Sequence, residues 1–98
     1  MKSIVHQLNK AFENRIRLGI MSILMVNDKV SYNRLKELLE VTDGNLASHL
    51  KALEKLEFIM VEKTFVDRKP HTTYDATNEG KIAFKAHLDA LESLIRGN

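Results

Sequence analysis

Between Asp43 and Leu56, short polar and cationic side chains are set against a repeating leucine. At ~100° per residue on a helix, Leu46, Leu50, Leu53 and Leu56 fall within roughly 40° of one direction. Gly44, Ser48, Lys51 and Lys55 fall within roughly 40° of the opposite one, Asn45 and Ala52 stand on an outer flank, and His49 sits at the margin. Such an outer face has the chemistry to read base edges. Asn45 can make paired hydrogen bonds to adenine, Ser48 can bond to several bases, and Lys51 suits a phosphate or a guanine. Lys55 suits a phosphate, and Gly44 would let the helix start, with its free N–H groups, come close to one. A second cationic group follows in Asp67-Arg68-Lys69-Pro70-His71, where Arg68 and Lys69 suit phosphates or a minor groove. Taken alone, each feature is also what any solvated helix face or charged surface turn shows.

Other chemistries find no footing. There is no cysteine, hence no disulfide, thiolate metal site or thiol nucleophile. His6, His49, His71 and His87 are scattered, and none forms a His-x-x-x-His pair. His87, in an apolar stripe, reads as a packed histidine, so no metal site is expected. Neither a nucleophile elbow, a P-loop nor a Gly-rich dinucleotide turn is present, and no enzyme activity or cofactor is expected.

The elements that must hold these residues follow from caps and periodicity. The chain of 98 residues suits a single domain, 1–98. Residues 3–11 read as a short helix with Ser3 as N-cap, and Asn14 caps a second helix to Val26 with Ile16, Ile20, Ile23 and Leu24 inward. Gly19 would allow another helix to approach. After the Asn27-Asp28-Lys29 turn, Val30 could form a single-residue strand. Ser31 caps a helix through Glu40 with Leu35, Leu38 and Leu39 inward, and Thr42 caps the helix 43–56. Residues 31–56 are thus two helices joined by a sharp turn, the helix-turn-helix pattern. Residues 58–76 read as a hairpin with its tip at 67–71, and Thr77 caps a last helix, 77–97.

Net charge is +2 and the isoelectric point about 9.0. The cations are not gathered in one segment: residues 1–30 hold five Lys/Arg against two Asp/Glu, residues 31–57 four against five. Binding of a polyanion would therefore rest on sorting by face. No apolar run approaches the ~20 residues that span a bilayer. The first residues lack the apolar block of a leader, so a cytoplasmic location is expected.

The ordered set of residues resembles the winged helix-turn-helix transcription regulators of the MarR and ArsR type, in a compact stand-alone form. The resemblance is carried by Arg17-Leu18-Gly19-Ile20-Met21, Asp43-Gly44-Asn45-Leu46, Ser48-His49-Leu50, Leu53-Glu54, Asp67-Arg68-Lys69-Pro70 and Thr77 with Gly80. It implies a mainly α fold with a small β-hairpin (α-α-α-β-β-α), a recognition helix from Asp43 in the major groove, and a wing at Arg68 and Lys69. It also implies terminal helices that form a dimer. Glu57 departs from the family pattern, which has glycine between the recognition helix and the strand. A left-handed residue with a Cβ costs about 1 kcal/mol there, so either a left-handed Glu57 or a differently shaped turn is expected.

The last helix carries two adjacent apolar stripes, Phe84, Leu88, Leu91, Ile95 and Ala83, His87, Ala90, Leu94. Their arc of about 160° exceeds the ~100° of an ordinary surface helix. With Ile4, Val5 and Leu8, it predicts a homodimer that reads a near-palindromic site on double-stranded DNA. Any small-molecule effector is expected at the dimer interface or between it and the reading head. The competing reading is a winged helix that binds protein without binding DNA.

Overall fold

Capping side chains set the helix starts in the computed structural model, which describes residues 3–97. Met1, Lys2 and Asn98, which belong to the single-domain reading and in the first two cases to the search for a leader, lie outside it. The Asn14 side chain accepts from the N–H groups of Ile16 and Arg17 and opens α1, Arg15–Val26. Ser31 accepts from Arg34 N and opens α2, Tyr32–Leu39, while Thr42 accepts from Asn45 N and opens α3, Asp43–Lys55. Thr77 accepts from Gly80 N and opens α4, Asn78–Ile95. Each cap satisfies a backbone donor that the first helical turn leaves free. Three strands complete the chain: β1, Val30–Ser31, β2, Ile59–Val66, and β3, Lys69–Ala76. They form one antiparallel sheet in the order β1-β3-β2. The expected class, a mainly α winged helix-turn-helix with a small hairpin, is borne out.

The first expected helix is not α-helical. Residues 3–11 hold a 3-10 turn at Ile4–Gln7, and a second one follows at Lys10–Phe12. Asn9 interrupts them by accepting from Ala11 N, the local side-chain bond that competes with helix continuation. The second turn delivers Phe12, absent from the expected core, to its centre. Its ring stacks on Phe58 at 5.5 Å and meets Phe84 edge-on at 5.1 Å and His87 at 5.4 Å. Around it lie Ile20, Met21, Leu24, Leu35, Leu46, Leu50, Leu53 and Ile59.

Two leucines expected inward are not buried: Leu38 and Leu56 are each 46% exposed. Each stands next to a left-handed helix terminus. α2 ends at Leu39, one residue short of the expected Glu40, which is left-handed with φ 51°. The chain turns away from α3 at Glu57, φ 63°. Phe58 N donates to Leu53 O and Glu57 N to Glu54 O, so the helix end closes as a Schellman motif with glutamate in the place usually given to glycine. The left-handed Glu57 is thus the first of the two expected alternatives. Gly19 also behaves as expected: a Cβ there would stand 2.6 Å from the Leu39 side chain, so its absence lets α1 and α2 close up.

Candidate nucleic-acid interface

The helix-turn-helix is tied at the turn by a network centred on Asp43. Lys36 Nζ lies 3.0 Å from its Oδ2, and Tyr32 Oη donates within reach of both its Oδ1, at 3.1 Å, and its backbone oxygen, at 3.2 Å. Two residues of α2 therefore hold the first residue of α3. The bonds from Lys36 and Tyr32 keep the Asp43 carboxyl below the usual carboxylate range. Partial burial, and then the carboxylate it donates to, push the Tyr32 hydroxyl up. Asp43 also stands in the first turn of α3, where a carboxylate suits the positive end of the helix.

On α3, Leu46, Leu50 and Leu53 are buried, while Gly44, Asn45, Ser48, Lys51 and Lys55 all face solvent. The structure thus brings these five to one outer surface. A Cβ at Gly44 would meet nothing within 4 Å, so this glycine fills no packing requirement of the chain itself. His49 is half-buried at the margin. Burial, and then the nearby Arg17 of α1, hold its imidazole below the ordinary value. Arg17 carries part of the family resemblance but was expected in no site; its Nε is buried without a hydrogen-bond partner. Nothing local marks it, because the neighbourhood of Arg17 and His49 exists only once α1 packs on α3.

The wing is tighter than the expected 67–71 turn. Val66 pairs with Lys69, leaving a two-residue connection of Asp67 and Arg68. Their φ values of 50° and 66° make it a primed hairpin turn, whose twist matches that of the strands. Arg68 is at the tip, and Lys69 begins β3. Pro70 faces Phe65 in the next pair, a non-hydrogen-bonded one in which the missing N–H points away from the partner strand. A proline therefore extends the strand instead of ending the turn.

Among the described residues, ion pairs join Lys29 to Glu62, Arg34 to Glu37, Lys36 to Asp43, Lys85 to Asp89 and Arg96 to Glu92. Lys51, Lys55, Lys63, Arg68 and Lys69 have no such partner. Lys10, Arg15, Arg17 and Lys81 are unpaired as well, but α3 and the hairpin are where every cation is left without a carboxylate, within a nearly neutral chain. No cluster of His, Asp or Glu suited to a metal ion occurs among the described residues.

The profile of the winged helix DNA-binding domain matches residues 16–95. The chain belongs to this family. The match runs from α1 through α4 and includes the helix-turn-helix and the wing. An uncharacterized protein of Methanocaldococcus jannaschii is 37% identical over 79 residues, covering 81% of this chain and 86% of that one. The structure of a transcriptional regulator homologue from Pyrococcus horikoshii OT3 superposes with a TM-score of 0.89 at 31% identity, covering 99% and 97% of the two chains. MarR shares the fold, with a TM-score of 0.75 at 19% identity over 94% of this chain and 69% of its own. The family is one of DNA-binding domains, not of enzymes. Among the described residues, no helix of this winged helix domain is long and apolar enough to cross a membrane.

The sites expected for a dimer are distributed unevenly. Phe84 and His87 lie in the chain's own core, and His87 Nδ1 accepts from Asn9 N at 2.9 Å. Part of the second apolar stripe is therefore used internally, against the N-terminal turns. Ile4, Leu8 and Leu91 are half-buried, and Val5 and Leu94 are exposed. Leu88 and Ile95 are 43% and 84% exposed.

Proposed function

We propose that this winged helix domain binds double-stranded DNA as a homodimer and regulates transcription. α3 would lie in the major groove, which admits one helix, with Asn45 and Ser48 at base edges and Lys51 and Lys55 at phosphates. Arg68 and Lys69 would reach an adjacent minor groove or its phosphates. Gly44 and His49 complete the contact set at the start and margin of the helix. The observation that carries this reading is the distribution of unpaired cations. Elsewhere the described Lys and Arg are mixed, with Lys29, Arg34, Lys36, Lys85 and Arg96 matched to carboxylates and Lys10, Arg15, Arg17 and Lys81 not; on α3 and the wing every cation stands open, beside the exposed Asn45 and Ser48. A likeness to a transcriptional regulator homologue at 31% identity supports regulation as the outcome of binding.

The dimer would form through the exposed parts of α4 and the N-terminal turns, with Val5, Leu88, Leu94 and Ile95 at its centre. A twofold pair would set the two recognition helices roughly 34 Å apart and so read a near-palindromic site.

Selection of bound sequences from random duplex DNA, followed by affinity measured against salt, tests the reading. A near-palindromic consensus is expected, with affinity falling steeply as salt rises, because phosphate contacts release counterions. Arg68→Ala should weaken binding to all sequences alike and reduce the salt slope by about 1, whereas Asn45→Ala and Ser48→Ala should change the preferred sequence. Weak binding with a flat salt response would favour the protein-binding alternative.

A further inference from the structure

Strand alternation divides the hairpin into two unlike faces. Ile59, Val61, Lys63 and Phe65 of β2 share one face with their partners Ala76, Tyr74, Thr72 and Pro70 of β3. The inner half, Ile59, Val61, Tyr74 and Ala76, packs into the helical core. On the outer half of the same face Lys63, Phe65 and Pro70 are exposed, while Thr72 is half-buried near the start of α2. Phe65 is 75% exposed. The opposite face carries Glu62 and Asp75, both engaged with Lys29. Lys69 and His71 share that face, so what the hairpin segregates is its carboxylates. Its carboxylates within the strands lie on one side, while the helix-facing side presents a cation and an aromatic–proline pair leading to Arg68 at the tip.

We infer that Phe65 and Pro70 form an apolar plate that packs on deoxyribose along the minor-groove wall beside Arg68, with Lys63 on the flanking phosphate. This rests on the DNA-binding reading above. A duplex backbone alternates anionic phosphates with apolar sugars, and a surface alternating lysine, phenylalanine and arginine is complementary to it in spacing of type as well as in sign. An aromatic side chain has only two side-chain torsions to fix on contact, so the entropy lost by Phe65 is small for the area it offers. No carboxylate on this face opposes the approach. Apolar side chains are a recurring component of minor-groove contacts. The plate supplies affinity that does not depend on counterion release, which a wing with few cations needs.

The test uses the full chain and the duplex that it selects from random DNA. Phe65→Thr places a strand-favouring β-branched residue there and removes the plate. It should weaken binding about tenfold to all sequences while leaving the salt slope unchanged. Phe65→Tyr should bind as the native chain does. Lys63→Gln should instead lower the slope by about 1. Met60→Thr, on the opposite face and 55% exposed in the native chain, should change nothing. At saturating protein, hydroxyl-radical footprinting should show sugars under the wing protected by the native chain and open in Phe65→Thr, a readout that holds even if the hairpin loosens. Steep salt-dependent binding by the native chain with an unchanged Phe65→Thr affinity and footprint would overturn the plate and leave the DNA reading intact. Salt-independent or absent binding by the native chain would overturn both.

Discussion

A Cβ at Gly80 would stand 2.0 Å from the Phe58 backbone oxygen, so the first turn of α4 can lie against the start of β2 only without a side chain. The same junction is held by Thr77, whose N–H donates to Phe58 O and whose hydroxyl donates to Glu57 O. Gly80→Ala should therefore destabilise the fold by about 3 kcal/mol, read by urea unfolding, since backbone and not a flexible side chain must move. Glu57→Gly should act in the other direction, stabilising by about 1 kcal/mol through relief of the left-handed backbone. His49 supplies a pH prediction. Its folded pKa is depressed, so the unfolded chain binds the proton more readily. Stability is then complete above the ordinary imidazole pKa of about 6.5 and declines as pH falls through it toward the folded value. Melting curves of His49→Gln should lose that decline between neutral and mildly acidic pH. These residues differ in how far they could be read. Glu57 was legible because the family pattern marks its position. Gly80 and Arg17 could be noticed in the family pattern but not explained, because their partners are fixed only by packing between elements distant in sequence.

At the scale of elements, caps were the most readable feature: Asn14, Ser31, Thr42 and Thr77 each open the helix expected of them. They act within a few residues of themselves, so sequence alone can show them. The N-terminal segment failed the same reasoning because two capping residues, Ser3 and Asn9, compete within one short stretch. The wing tip was misplaced for a related reason. Pro70 reads as a turn residue, yet strand pairing tolerates it where its missing N–H faces outward. The tight tip makes a prediction with opposite signs. Arg68 holds φ 66° in a turn that favours glycine at its second central position. Arg68→Gly should raise the melting temperature while lowering DNA affinity and the salt slope. A variant that lost both stability and affinity would show that Arg68 supports the hairpin instead of contacting DNA. In the helix-turn-helix, Lys36→Met should leave the melting temperature nearly unchanged, because the Lys36–Asp43 pair is exposed.

For the whole molecule, the decisive question is which apolar surface the fold leaves over. The sequence showed too wide an apolar arc on the last helix but could not divide it between internal and external use. That division depends on where the N-terminal turns dock. With His87 bonded to Asn9 and packed on Phe12, the inner part of the arc is already spent on the monomer. The remainder, centred on Leu88 and Ile95, is exposed and continues toward Val5. A paired Leu88→Asp, Ile95→Asp chain should then remain folded, since neither side chain belongs to the core, yet sediment as a monomer at micromolar concentration. Its affinity for a full palindromic site should drop to that for a single half-site, because the second recognition helix no longer binds at high effective concentration. The native chain should keep a full-site advantage that disappears when the half-sites are moved apart by about half a helical turn. A native chain that already sediments as a monomer and binds both spacings equally would remove the dimer, and with it the palindrome, while leaving the reading face of α3 in place.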